Sequence, residues 1–157
     1  MAVALNDLGL SYFDNQQYEI SFEKFTKAVE LDSENYIYHN NKGLSLMRVD
    51  KLDLAKLDFD KAIMFKGDVP RTWFNRGDVF CAMREYEMAH INYDQAIELD
   101  PENHVFHHAK GLAYQFDKDW RSALTFFEKA LELEPDHDPS VYHIGQMQHK
   151  LELLPQA

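Results

Sequence analysis

The sequence is short of the residues that would tie it to several common functional classes. Its single cysteine, Cys81, cannot form a disulfide within the chain, so a disulfide framework is excluded and a cytoplasmic, intracellular setting is expected. Cationic side chains are also scarce. Sixteen Lys and Arg face 27 Asp and Glu, a net charge of −11, which disfavours nucleic acid or an anionic membrane surface as partner. Long apolar runs are missing; VFCAM (79–83) is typical of the longest, so membrane insertion is not expected. MAVAL at the start is too short for a signal segment and is followed at once by Asn6 and Asp7. The six glycines are scattered, with none of the clustering that cradles a nucleotide phosphate.

What is present is a period. Gly9, Gly43, Gly77, Gly111 and Gly145 each fall 34 residues after the last. Ala28, Ala62, Ala96 and Ala130 keep the same beat, as do the aromatics Phe25, Phe59, Tyr93 and Phe127. Ala55, Ala89 and Ala123 follow it too, with Ser21 as the small residue of the first unit. A fixed period of this length marks an array of small supersecondary units. A glycine inside a helix costs about 1 kcal/mol relative to alanine. Five in register therefore need a return, which close approach of a neighbouring helix supplies.

Within each unit, apolar residues recur at helical spacing in two stretches separated by a polar break. Helices are expected over about 2–14, 18–31, 36–48, 52–65, 70–82, 86–99, 104–116, 120–133 and 140–153. The hinges DSEN (32–35), KGDVP (66–70), DPEN (100–103) and EPDHDP (134–139) separate successive pairs. Pro101 and Pro135 sit where proline ends a helix.

The pattern set by Trp73, Gly77, Phe80, Tyr86, Ala89, Tyr93, Ala96 and Pro101 resembles the tetratricopeptide repeat. Gly111, Tyr114, Trp120, Ala123, Phe127, Ala130 and Pro135 repeat it, while the first unit has Ser33 for the proline and the second has Leu46 and Gly67. The resemblance implies an all-α fold: a right-handed α-solenoid of antiparallel helix pairs. The chain then reads as one domain with repeats at about 2–35, 36–69, 70–103 and 104–137 and a C-terminal capping helix at about 138–154. It also implies a non-catalytic interaction scaffold, with the first helices lining a concave groove for a peptide or protein segment. The first unit starts without a segment ahead of it. Ala4 and Ser11 would suit a preceding helix, so the chain is expected to be part of a larger protein.

Carried over position by position, the family's geometry puts Val3, Asn6, Asp7, Leu10 and Phe13 in the groove from the first repeat. The second contributes Ile37, Asn40, Asn41, Leu44 and Met47, and the third Arg71, Phe74, Asn75, Asp78 and Cys81. Val105, His108, Ala109, Leu112 and Gln115 follow, with Tyr142, His143 and Gln146 on the last helix. Leu10, Phe13, Leu44, Met47, Phe74, Leu112 and Tyr142 are the expected apolar anchors. Asn41 and Asn75 are the expected donors and acceptors for a partner's main chain.

Capture of a chaperone's C-terminal carboxylate, one use of the family, needs several cations and amides at set places. Those places hold Asn6, Leu10, Asn41, Arg71 and Asn75, or, one repeat later, Asn40, Leu44, Asn75, Val105 and Ala109. Only Asn41 and Arg71 fit, too little to offset desolvation of a carboxylate, so chaperone tails are not expected. Self-association through the groove or the open ends is the alternative reading, and a homo-oligomer would follow from it. A metal-linked role through His104, His108 and His143 is a minor one. His107 shares the register of Trp73 and belongs inside the helix pair, leaving only His108 in the groove with His143 beside it. No cofactor is expected. Asp58/Asp60 and Glu85/Glu87 have no partner pattern, Cys81 has no base in register, and no enzyme is expected.

Overall fold

A computed structural model describes residues 1–153, all organised as helices and short turns. The helices are α1 (Ala2–Asp14), α2 (Tyr18–Leu31), α3 (Tyr36–Arg48), α4 (Leu52–Phe65) and α5 (Pro70–Ala82). They continue with α6 (Tyr86–Leu99), α7 (His104–Phe116), α8 (Trp120–Leu133) and α9 (Asp138–Glu152). The first eight have the bounds that apolar periodicity sets. The ninth starts at Asp138, where the capping helix was expected to begin and two residues before the periodic stretch at about 140, with Pro139 in its first turn. Proline is well placed there, because its missing N–H has no partner to lose. The expected last residue of the cap, Leu154, lies outside the described residues.

Each odd-numbered helix from α1 to α7 pairs with the helix that follows it, and each pair leans on the next through α2·α3, α4·α5, α6·α7 and α8·α9. The first helices also touch in sequence, α1 to α3 to α5 to α7. The result is an all-α solenoid of helix pairs closed by a ninth helix.

The repeating glycines explain how closely the pairs close. A Cβ on Gly9 would stand 2.6 Å from Phe25, on Gly43 2.8 Å from Phe59, on Gly77 2.7 Å from Tyr93 and on Gly111 2.7 Å from Phe127. Each aromatic ring thus lies flat on the bare backbone of its partner helix and is almost fully buried. At Gly145, where no second helix follows among the described residues, nothing lies within 4 Å.

Three further devices recur with the period. One residue per intra-pair turn, Gln16, Asp50, Arg84 and Lys118, adopts φ near 60°, which carries the chain sharply from first to second helix. A side chain on the first helix then reaches back to the preceding hinge. His39 Nε2 meets the Ser33 carbonyl at 2.9 Å, Trp73 Nε1 donates to Gly67 at 2.8 Å, and His107 Nε2 meets Pro101 at 2.9 Å. The third device is a cation on a first helix tied to the second helix of its own pair (Lys42, Arg76) or of the preceding pair (Arg76, Lys110). Lys42 pairs with buried Asp58 at 3.1 Å, Arg76 donates to Asn92 at 2.7 Å and Asp60 at 2.6 Å, and buried Lys110 pairs with Asp94. Asp58 and Asp60, which looked unpartnered in the sequence, are therefore joints between helices.

Candidate functional site

The groove residues of the first helices divide by what their neighbours leave open. The walls are joined across repeats by pairs 35 residues apart. Asn41 donates to Asn6 at 2.8 Å and Asn75 donates to Asn40 at 3.0 Å. Each of the two amides expected to serve a partner's backbone thus spends a donor within the wall, and Asn6 and Asn75 are buried. In the next pair Phe74 takes the asparagine's place and Ala109 stands opposite, in one apolar cluster.

Phe74 requires a correction. It is 8% exposed and packs on Tyr93 (ring centroids 5.8 Å) and Phe106 (5.0 Å), with the Arg71 guanidinium over its face. It is a core residue sealing α5 to α7 rather than an anchor waiting for a partner. Leu44 and Met47 lie half-buried at the edge of another cluster that contains Leu46, Phe59 and Val79, and Leu112 borders Phe127 and Met147. Leu10 is exposed and Phe13 half-buried, its ring edge-on to Tyr18 and covered by Arg48. Tyr142 is the most open of the expected anchors at 64%. Sequence reasoning gave little weight to a stripe at one helical position, where Val3, Ile37 and Val105 are all exposed. Their shared spacing of 34 or twice 34 was the available signal.

Between α5, α6 and α7 lies a pocket of about 390 Å³. Asp78 and Cys81 form its α5 side, Tyr93 its floor, and Leu112 and Phe116 its α7 side, with Arg84 at the rim. The Tyr93 hydroxyl donates to Asp78 Oδ1 at 2.7 Å. Burial pushes the Asp78 carboxyl up to about 6, partly offset by the Tyr93 hydrogen bond and the Arg71 charge. Burial, then the nearby Asp78, pushes the Cys81 thiol up as well. A thiol held in its protonated form is a poor nucleophile.

At the other end, His108, expected in the groove, has His143 5.4 Å away between ring centroids. A fourth histidine, His137 from the hinge, comes between His104 (4.9 Å) and His108 (4.8 Å). Ser140 links His108 (2.9 Å) and His137 (2.6 Å) through its hydroxyl. Burial, and then the neighbouring His137, His143 and His104, depress the His108 imidazole to about 4. His143 lies stacked on Phe127 rather than turned toward His104. No group of three or more His, Cys, Asp or Glu among the described residues is arranged to hold a metal ion. His137 was not legible as a member of this cluster because its register position holds Asn35, Val69 and Asn103 in the earlier repeats, so the period carries no histidine signal there.

No helix among the described residues is long and apolar enough to cross a membrane.

Comparison with known proteins agrees with the architecture. The chain is 28% identical over 78 residues to the mouse E3 ubiquitin-protein ligase TTC3, covering 50% of this chain and 4% of that protein. It is 27% identical over 102 residues to the Dictyostelium discoideum protein STIP1 homolog, covering 65% of this chain and 18% of the relative. The chain therefore spans only a small part of these curated relatives' length. Among solved structures, MamA superposes with a TM-score of 0.79 at 25% identity, over 85% of this chain and 78% of that one. Models of the tetratricopeptide repeat match residues 2–35, 70–103 and 105–137. With the 34-residue period and helix pairing described above, these matches place the chain in the tetratricopeptide repeat family, whose domains serve generically as protein–protein interaction modules.

Proposed function

We propose that this chain is a non-catalytic scaffold that holds a peptide or protein segment along the face formed by α1, α3, α5 and α7. The observation that carries this reading is the recurring exposure of Val3, Ile37 and Val105, beside exposed Leu10 and Tyr142, on helices that touch one another in sequence. Apolar side chains aligned at one register give a bound segment successive footholds, and each one covered removes apolar area from water at about 25 cal/mol per Å². The segment is a protein rather than a nucleic acid, since a net charge of −11 repels a phosphate backbone. A C-terminal carboxylate is a poor ligand for this wall. Arg71 leans on Phe74, and Asn41 is tied to Asn6. Ligase chemistry is not proposed, because the chain matches only a small fraction of TTC3.

Selecting binders from a displayed library of random twelve-residue peptides on the intact chain tests the reading. Ligands that bind wild type and fail on Ile37→Glu/Val105→Glu support the groove. Ligands indifferent to both charges refute it. These positions are exposed, so the variant should keep its fold.

Self-association is a second reading, favoured by one observation. Positions equivalent to Ala4 and Ser11 are fully or nearly buried in later repeats, as Tyr38 and Ser45, Thr72 and Val79, Phe106 and Ala113, and Ser140 and Met147. In α1 both are exposed, next to Leu8 at 42%. Sedimentation across concentration, with Leu8→Glu/Ser11→Glu as the comparison, separates the two readings.

A further inference from the structure

The four repeats differ at one point of the groove in two positions at once. Leu10, Leu44 and Leu112 occupy the same place on their first helices, but the third repeat has Asp78. The aromatic covering the glycine is Phe25, Phe59 and Phe127 in those repeats, but Tyr93 in the third. The two departures touch each other: the Tyr93 hydroxyl donates to Asp78 at 2.7 Å. That hydroxyl holds the carboxylate on the floor of the pocket between α5 and α7. Three other repeats close with an apolar pair at this point, so the third carries a charge that packing does not require.

Among the described residues no cation lies within ion-pair distance of Asp78. Other carboxylates on the joints are paired, Asp58 with His39 and Lys42, Asp60 with Lys56 and Arg76, Asp94 with Lys110. Only the Tyr93 hydroxyl and the more distant Arg71 charge offset removal of this carboxylate from water, and a charge-assisted hydrogen bond from a ligand repays part of the remaining cost. The walls suit such a ligand. Leu112 and Phe116, the latter 59% exposed, offer apolar surface above the carboxylate. A lysine carries a matching pair of features, an apolar four-carbon stem and a compact terminal charge. Arg84 at the rim is an exposed side chain on the turn and forms no ion pair with Asp78.

We propose that this pocket receives a lysine side chain of the bound segment, its ammonium on Asp78 and its stem against Leu112 and Phe116. The proposal rests on the groove reading above and adds to it the chemistry of the partner: an apolar segment carrying one basic residue, attracted as well by the chain's net charge of −11.

The test uses peptides selected on the intact chain and the double variant Asp78→Leu/Tyr93→Phe. That variant installs the pair which the second and fourth repeats already contain, Leu44 with Phe59 and Leu112 with Phe127, so folding is retained and no hydroxyl is stranded. Selected peptides should share one lysine. Replacing it by leucine should weaken binding to wild type by about tenfold or more and leave binding to the double variant little changed. Peptides that need Ile37 and Val105 but show no lysine, or bind the double variant equally through their lysine, overturn the pocket proposal while leaving the groove intact. Peptides indifferent to Ile37→Glu/Val105→Glu overturn the groove reading itself.

Discussion

Gly111→Ala and Gly145→Ala are the same substitution at the same place in the repeat, yet they should move stability in opposite directions. Both remove a mid-helix glycine, which in isolation is worth up to about 1 kcal/mol in favour of alanine. At Gly145 nothing lies within 4 Å of the added Cβ, so the gain stands whole. At Gly111 the Cβ would fall 2.7 Å from Phe127 Cε1 and 2.8 Å from Cδ1. The ring must retreat by close to an ångström, and it is 0% exposed, packed among Ala123 and Met147. Overpacking of this kind costs about 1–3 kcal/mol and here has no flexible side chain to absorb it. The net expectation is a loss of about 1–2 kcal/mol for Gly111→Ala and a gain of about 0.5–1 kcal/mol for Gly145→Ala. In a chain of this length each kcal/mol shifts the melting temperature by about 2–4 °C. Urea unfolding followed by circular dichroism reads both, with attention to whether the array melts as one unit. Equal changes at the two positions would refute the claim that the glycines serve ring-to-backbone contact.

Asp58→Ala should be among the most damaging surface-distant changes, costing about 3 kcal/mol in urea unfolding, because it leaves His39 and Lys42 without their shared acceptor. His90→Phe should stabilise by about 1 kcal/mol in the same assay, since both ring nitrogens are buried without a partner and the ring stacks on Tyr114 at 3.8 Å. His108, depressed from 6.5 to about 4, takes up its proton more readily unfolded than folded, so its contribution is present above pH 6.5 and lost as pH falls toward 4. For a half-exposed ring this amounts to on the order of 1–2 kcal/mol after solvent screening. Asp78, raised from 3.8 to about 6, works the other way and gains stability as pH falls through 6. The change in urea midpoint on going from pH 7 to pH 4.5 should therefore be more negative in Asp78→Asn than in wild type, and more positive in His108→Gln.

The helices were legible because period and amphipathicity are one-dimensional signals, and close packing of identical units leaves few ways to satisfy them. Gly43 and Phe59 could be matched from spacing alone, and the structure brings them into contact. Exposure within the groove was harder to read, since it depends on the residue 35 positions away. Phe74 is buried because Ala109 leaves room for it in the same cluster, whereas Asn6 and Asn40 at the equivalent places are met by Asn41 and Asn75. The periodic stretch of α9 read from about 140, two residues inside its start at Asp138, for a local reason: DP at 138–139 reads as a break, yet proline in the first turn begins a helix as readily as it ends one. His137 gave no signal because its place between His104 and His108 is set by the path of the hinge after α8.

The central claim is that a partner segment lies along the first helices. Amide chemical-shift mapping of the intact chain, titrated with a peptide selected on it, tests this most directly. The account predicts perturbations confined to α1, α3, α5, α7 and α9, strongest around Ile37, Asp78 and Val105. Perturbations concentrated on the outer faces of α2, α4, α6 and α8, with the first helices unmoved, would contradict it.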